Sequence, residues 1–274
     1  MLGKTSLYCF VIGLILVMAM PSYSAWEIGG KAGYDSNVNR AIDGAVGDTS
    51  LGAYLQYSRG ASGETRFDWT LAASLEGNTF LKNNDLSNVG ILIAPGIIYF
   101  PYLSWSINIY PFVQGKVVSD NEQSALSFGA KIDLKQPINK YIYIGEYYVY
   151  TDSRAQEDVY SSTDHALGIS LGINWTNTFF TELGYEYSHG DSFRTFESSS
   201  TVPPSGKGKR YGYSTTFATE VYKDQVSRHS VGFTMGMELF PSVSSSLSYM
   251  YSTMAGDLGN SDNHTGLVGI SYRF

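Results

Sequence analysis

Beyond residue 9 this chain of 274 residues has no cysteine. Disulfides and thiolate metal sites are therefore excluded from everything that follows Cys9. Charge is scarce too: 16% of residues are charged, and 25 acidic residues stand against 18 basic ones. An acidic chain lacks the basic patch that nucleic acid requires, so no nucleic-acid partner is expected. The third scarcity is of long apolar runs. After residue 20 none approaches the roughly 20 residues of a membrane-spanning helix.

The first 25 residues differ from the rest. Met1 and Lys4 make a cationic start, an apolar run extends from Leu7 to Met20, and Ser22-Tyr23-Ser24 is a small-residue site. This predicts a secretory signal peptide cleaved after Ser24 or Ala25. An uncleaved anchor helix is the alternative, and Pro21 and the shortness of the run oppose it. Cys9 lies well before the cleavage point, so it is not a lipid-modified cysteine. Removing 25 residues from 274 leaves a single domain of 249, residues 26–274, with 17 basic and 25 acidic residues and a formal charge of -8.

The whole chain is rich in glycine (29 residues) and aromatics (15%), and the domain alternates. In "TLAASLEG", Leu71, Ala73 and Leu75 face one way and Thr70, Ala72, Ser74 and Glu76 the other. "LSFGAKIDLK" and "HALGISLGINW" split likewise, which is the period of a strand with two different surroundings. Connections of two kinds separate the strands. Short ones lie at 59–64, 100–104, 136–140, 176–178 and 240–244; longer ones lie at 36–48, 81–87, 118–124, 152–163, 190–228 and 255–263. They alternate strictly, and eleven connections imply twelve strands. "YGYSTTFATEVY", inside the long 190–228 loop, is read as an extension of the wall or a hairpin, because a further spanning strand would make the count odd.

A chain that crosses a membrane without apolar helices must close into a barrel, since every backbone polar group has to be paired. The fold class predicted is an all-β, transmembrane, antiparallel up-and-down β-barrel of the bacterial outer membrane, with both termini periplasmic. A two-sheet sandwich would also alternate. The tryptophans decide between the two: Trp26, Trp69, Trp105 and Trp175 all fall on outward positions at one rim, where amphipathic rings gather at headgroup level. Tyr57, Tyr272 and Phe274 join them there. Outer-membrane lipid is the expected surrounding, and the barrel is expected to be a monomer.

The final strand, "GLVGISYRF", carries Val268, Ile270, Tyr272 and Phe274 on one face. It must pair with the first strand, because an open edge is not tolerated in lipid. This aromatic end also resembles the terminal signal of bacterial outer-membrane proteins, which implies recognition by the barrel-assembly machinery through those four residues.

Inward positions are assigned to Glu27, Lys31, Asp35, Arg66, Asp68, Glu76, Lys116, Lys131, Asp133, Lys135, Glu146, Glu182, Glu186, Glu238 and Arg273, with Tyr110, Tyr148 and Tyr150. Such a wall suits a water-filled lumen or one plugged by paired charges. Nine acids against six bases predict a modest cation preference.

Catalytic and metal sites find little support, and neither enzyme activity nor a cofactor or metal is expected. A rim hydrolase would need a nucleophile and base in contact. His229 and Ser230 are adjacent, and neighbours on a strand point to opposite faces. The other histidines, His165, His189 and His264, also fall near the external strand ends. Asp35, Asn37 and Asn39 have calcium-loop spacing, but Arg40 takes the glycine position and Val46 the glutamate position, so an Asx-rich turn is the better reading. "VPPSGKGKR" lacks the helix and Ser/Thr of a phosphate loop.

"GYDSNVNRA", residues 33–41, resembles the opening hairpin of the barrel in surface lipoprotein assembly modifier proteins. The resemblance implies a barrel that moves lipoproteins or polymers across the outer membrane. From the residues themselves two functional classes emerge. One is a porin-like channel for small polar solutes or ions. The other is a closed barrel acting through its external loops, in adhesion, structure, partner binding or export.

Overall fold

The computed structural model describes residues 24–62, 65–102, 105–196 and 211–274. Apart from Ser24 and Ala25, the leader expected at residues 1–25 lies outside them, as does "VPPSGKGKR". The strands are β1 (Ser24–Asp35), β2 (Asp48–Arg59), β3 (Phe67–Phe80), β4 (Asn88–Tyr99), β5 (Ser106–Val118), β6 (Ala125–Pro137), β7 (Ile142–Ala155), β8 (Ser162–Asn174), β9 (Phe179–Phe196), β10 (Tyr211–Ser214), β11 (Thr219–Phe240), β12 (Val243–Gly256) and β13 (Gly259–Arg273).

Twelve of these close an antiparallel barrel. Each pairs with the next, β9 skips to β11, and β13 returns to β1 from Glu27↔Arg273 to Asp35↔Thr265. The seam reaches the last residue: Trp26 N–H donates to the Phe274 carbonyl at 3.1 Å, and Phe274 N–H to that of Trp26 at 2.9 Å. The short β10 pairs with β11, Tyr211↔Tyr222 to Ser214↔Thr219, and forms the hairpin within "YGYSTTFATEVY".

One connection matches expectation and another differs. The 190–228 loop contains the expected extension of the wall, since β9 and β11 stay paired up to Glu220↔Phe196. The 255–263 loop is a tight turn, Asp257-Leu258, flanked by the pair Gly256↔Gly259. Gly259 has φ +129°, which glycine alone adopts without strain. Strand pairing continued because every extra residue gained ladder hydrogen bonds, which hydrophobic patterning does not register.

The packing is inside out. Ile28, Val89, Ile97, Leu167, Leu183 and Ile270 are each about half exposed, and they form an aliphatic band around the outer wall. Each such side chain gains about 1.5–3 kcal/mol when moved from water into hydrocarbon. The band therefore calls for lipid.

One end of the barrel carries the short turns and both strand termini of the seam; the other carries the longer loops. Most of the fully buried side chains lie at this loop end: Arg194, Val221, Thr195, Asp48, Asp224, Ser192 and Ser214. The exception is Tyr57, expected at the lipid interface; it shares the outward face but is covered, with Trp26 packed at 5.1 Å between ring centroids.

Asp48 shows how the loop end is tied. Its carboxylate accepts from the backbone N–H groups of Thr49, Lys82 and Asn83 and from Asn83 Nδ2, at 2.7 to 3.1 Å. Burial pushes its pKa up, but these hydrogen bonds to the charged form outweigh it and the net shift is downward. A depressed folded-state pKa stabilises above the unfolded value and loses that stabilisation as pH falls through the folded one. Replacing Asp48 with Ala strands the three backbone donors of Thr49, Lys82 and Asn83, at about 1–3 kcal/mol each. Protease nicking at residues 81–87 is expected to rise in the variant at neutral pH, and in the native chain only below about pH 4, the unfolded Asp value.

Candidate functional site

The lumen is defined by register. Glu27, Lys31 and Asp35 on β1 share a face with Gln56 and Tyr54 on β2, and thence with Glu76 on β3. Continuing round, Lys116, Lys131, Asp133 and Lys135 lie on the inward face of β5 and β6. Glu182 and Glu186 on β9, Glu238 on β11 and Arg273 on β13 complete the set. Asp68 has the same phase but sits at the turn end, beside Arg59.

Two assigned positions change. Arg66 is exposed in the β2–β3 turn, on no strand. Glu146 faces outward: its register partners are Leu134 and Ile169, both on the aliphatic band, and Gln136 Nε2 donates to it at 3.3 Å. Tyr148 and Tyr150 turn outward with it. The inward face of β7 is instead Tyr143, Gly145, Tyr147 and Val149.

The reason lies across the wall. Tyr147 spans Gly168 of β8 and donates to Glu186 of β9; Tyr143 likewise spans Gly172 and reaches Glu182 at 2.6 Å. A Cβ on Gly168 would meet the Tyr147 ring at 2.2 Å, and one on Gly172 the Tyr143 ring at 2.0 Å. Glycine lets these rings lie flat on the wall. Tyr54 repeats the device over Gly29, donating to Glu27 at 2.8 Å.

Most lumen cations on this half of the wall have partners. Lys31 pairs with Glu76, Lys131 with Asp133 at 2.9 Å and Arg273 with Glu27 at 3.3 Å, while Lys135 lies 4.1 Å from the Tyr143 ring centroid. A cavity of about 360 Å³ opens at the turn end between Glu27, Tyr54, Glu238 and Arg273.

The loop end is organised differently. Loop 1, residues 36–47, folds into the mouth and reaches β9. Ala41 bridges to Thr195, Thr195 Oγ1 donates to the Asn39 carbonyl at 2.9 Å, and Arg40 donates to Ser192 Oγ at 2.8 Å and stacks on Phe193. Asn37 and Asn39 are buried and hold the loop's own backbone, as in an Asx-rich turn. Among the described residues no three His, Asp or Glu side chains converge to hold a metal.

Beneath loop 1 lies a second cavity, of about 390 Å³, lined by Asp35, Arg40, Lys116, Glu186 and Arg228 among others from eight strands. Arg40, Lys116 and Arg228 have no carboxylate within 4.0 Å among the described residues, and Arg228 Nε is buried without a partner. Burial first, then the neighbouring Arg228 charge, lowers the Arg40 pKa to about 10, so it stays charged at neutral pH. Arg228 was legible in sequence, ten residues from Glu238 and hence in phase with it. Arg40 was not, because a loop has no period.

No family model matches the chain. No curated protein matches it either. Solved structures with the same fold are outer-membrane barrels. They include an outer membrane channel from Pseudomonas putida F1 (TM-score 0.61, 8% identity, 93% of this chain and 97% of that one) and the NanC porin (0.51, 13%, 89% and 98%). The KdgM porin, in complex with disordered oligogalacturonate, has TM-score 0.51 and 10% identity over 90% and 99%. At these identities the likeness establishes the fold: the chain is a multi-pass β-barrel of the bacterial outer-membrane type.

Proposed function

We propose that the protein is a channel for small polar solutes and ions, with the turn end in the periplasm and the loop end outside. The carrying observation is a closed barrel whose rings lie flat on a polar wall, with cavities at both ends of its lumen. The same fold serves the porins and channels above.

The expected cation preference rested on counting charges along the sequence. A permeating ion responds to the charges left unpaired where it passes. At the loop-end cavity three unpaired cations face two carboxylates, Asp35 and Glu186, and Glu186 is already bonded to Tyr147. The channel is therefore read as anion-preferring at low salt. Planar-bilayer recordings of the purified barrel test both parts. Steady conductance with a reversal potential favouring chloride supports the reading; no conductance favours a closed barrel acting through its loops.

The nine residues that resemble the surface lipoprotein assembly modifier barrel are the end of β1 and the part of loop 1 that enters the mouth. An export role would require that loop to swing out, and the contacts with β9 oppose it.

Assembly by the barrel-assembly machinery through Val268, Ile270, Tyr272 and Phe274 accompanies this reading. Val268, Ile270 and Tyr272 occupy outward positions on β13, and Phe274, just beyond its end and bonded to Trp26, is 63% exposed to the surroundings. Deleting Phe274 is expected to slow outer-membrane insertion, followed by pulse-chase fractionation, while barrel already formed keeps its heat resistance. Insertion at the native rate would refute the terminal signal.

A further inference from the structure

The outer wall carries one side-chain arrangement three times. Tyr148 Oη lies 2.7 Å from His165 Nδ1, Tyr185 Oη 2.7 Å from His229 Nδ1, and Tyr249 Oη 2.7 Å from His264 Nδ1. In each case a second tyrosine, two residues further along the strand, sits directly across from the histidine. Tyr150, Tyr187 and Tyr251 place their ring centroids 5.0, 5.2 and 5.0 Å from His165, His229 and His264. The sequence shows only Tyr-x-Tyr on one strand and a lone histidine on another; the register brings them together.

All three clusters are outward and exposed, and they share one level. Towards the turn end the outward positions that follow include Leu167, Val231, Leu247 and Val268 of the aliphatic band, with Glu146 beside Tyr148 on β7. Towards the loop end they include Asp152, Asp191 and Asp262. This is the boundary where acyl chains give way to headgroups. A phenol is the better donor and an imidazole nitrogen the better acceptor, so the hydroxyl donates to Nδ1 and the proton of the neutral ring sits on Nε2. Each cluster therefore presents an N–H donor beside an exposed aromatic face.

We propose that these three Tyr–His–Tyr clusters are binding sites for the saccharide headgroup of an outer-leaflet glycolipid. A pyranose ring offers C–H groups to stack on tyrosine and hydroxyls that accept from Nε2–H and donate to a carboxylate. The carboxylates are in place at the rim: Asp152 on the strand of Tyr150, Asp191 on that of Tyr187, and Asp262 two residues from His264. A bare phosphate headgroup fits this rim less well, because these acids repel it and Arg154 and Lys223 are engaged with Asp152 and Asp191.

The test uses the full barrel in detergent, loaded with lipid A, with lipid A stripped of its phosphates, or with phosphatidylglycerol, and washed before the retained lipid is measured. Both forms of lipid A are expected to stay bound and phosphatidylglycerol to wash away. Replacing His165, His229 and His264 with Phe keeps ring and apolar area but removes the donor; retention of lipid A is expected to fall about tenfold, the worth of one good hydrogen bond per site. If that variant does not insert, Tyr148→Phe, Tyr185→Phe and Tyr249→Phe remove only the hydroxyls that orient the imidazoles, and the same loss is expected. Equal retention of phosphatidylglycerol, loss of binding on dephosphorylation, or unchanged retention in an inserted variant would overturn the proposal.

Discussion

Replacing Arg40, Lys116 and Arg228 together with Gln is expected to reverse the ion preference of the channel. The three cations line one cavity with Asp35 and Glu186 and have no carboxylate within 4.0 Å among the described residues. Removing them leaves the two acids in charge of the mouth. A single charge 4 Å from a passing ion is worth about 1 kcal/mol even at the dielectric constant of water, a factor of roughly five in local ion concentration. The chloride-to-potassium permeability ratio should therefore drop at least about fivefold at 0.1 M salt, where the screening length is about 10 Å. At 1 M salt, with screening at about 3 Å, the native and variant channels should converge. Glu186→Gln should move the ratio the other way. Reversal potentials in a salt gradient decide it; a triple variant with native selectivity would show that the ion path bypasses this cavity. Closure of the barrel is not at stake, because none of the three supports the lipid-facing surface.

The second large effect is expected from Gly168→Val. Valine's first carbon alone would lie 2.2 Å from the Tyr147 ring, so the ring must leave the wall. Its hydroxyl then parts from Glu186, and the side chain swings into the lumen. Overpacking of this kind costs about 1–3 kcal/mol, which a closed barrel tolerates, but the displaced ring obstructs the path. Single-channel conductance should fall with the barrel still folded, as judged by its mobility on unheated gels. Adding Tyr147→Ala to Gly168→Val should restore conductance, since the obstruction is then absent. Failure of that rescue would mean that the valine acts by distorting the wall.

The extent to which all this could be read beforehand varies by element. The alternation in β3, β6 and β8 put Leu75, Ile132 and Ile169 outside unambiguously, since only one face of each strand was apolar. Strand β7, "IYIGEYYVYTDSRA", has tyrosine, isoleucine or valine on both faces, and its phase was misassigned. Glu146 falls on the outward face with Tyr148 and Tyr150. The Tyr147–Glu186 and Tyr143–Glu182 contacts, both 39 residues apart in sequence, prevailed over one carboxylate that had Gln136 beside it.

By itself, the sequence determined the class of fold and the count of twelve wall strands. These depend on a period of two and on the parity of connections, which are local properties repeated twelve times, so a single misreading is outvoted. Only the tertiary structure decided what the lumen offers a solute. Loop 1 enters the mouth because Ala41 and Arg40 meet Thr195 and Ser192 on β9, some 150 residues away. The phase of β7, the company of Arg228 and the three Tyr–His–Tyr clusters likewise arise from register between strands. Contacts of that kind leave no period in the chain, because each is made once, between residues that only closure of the barrel brings together.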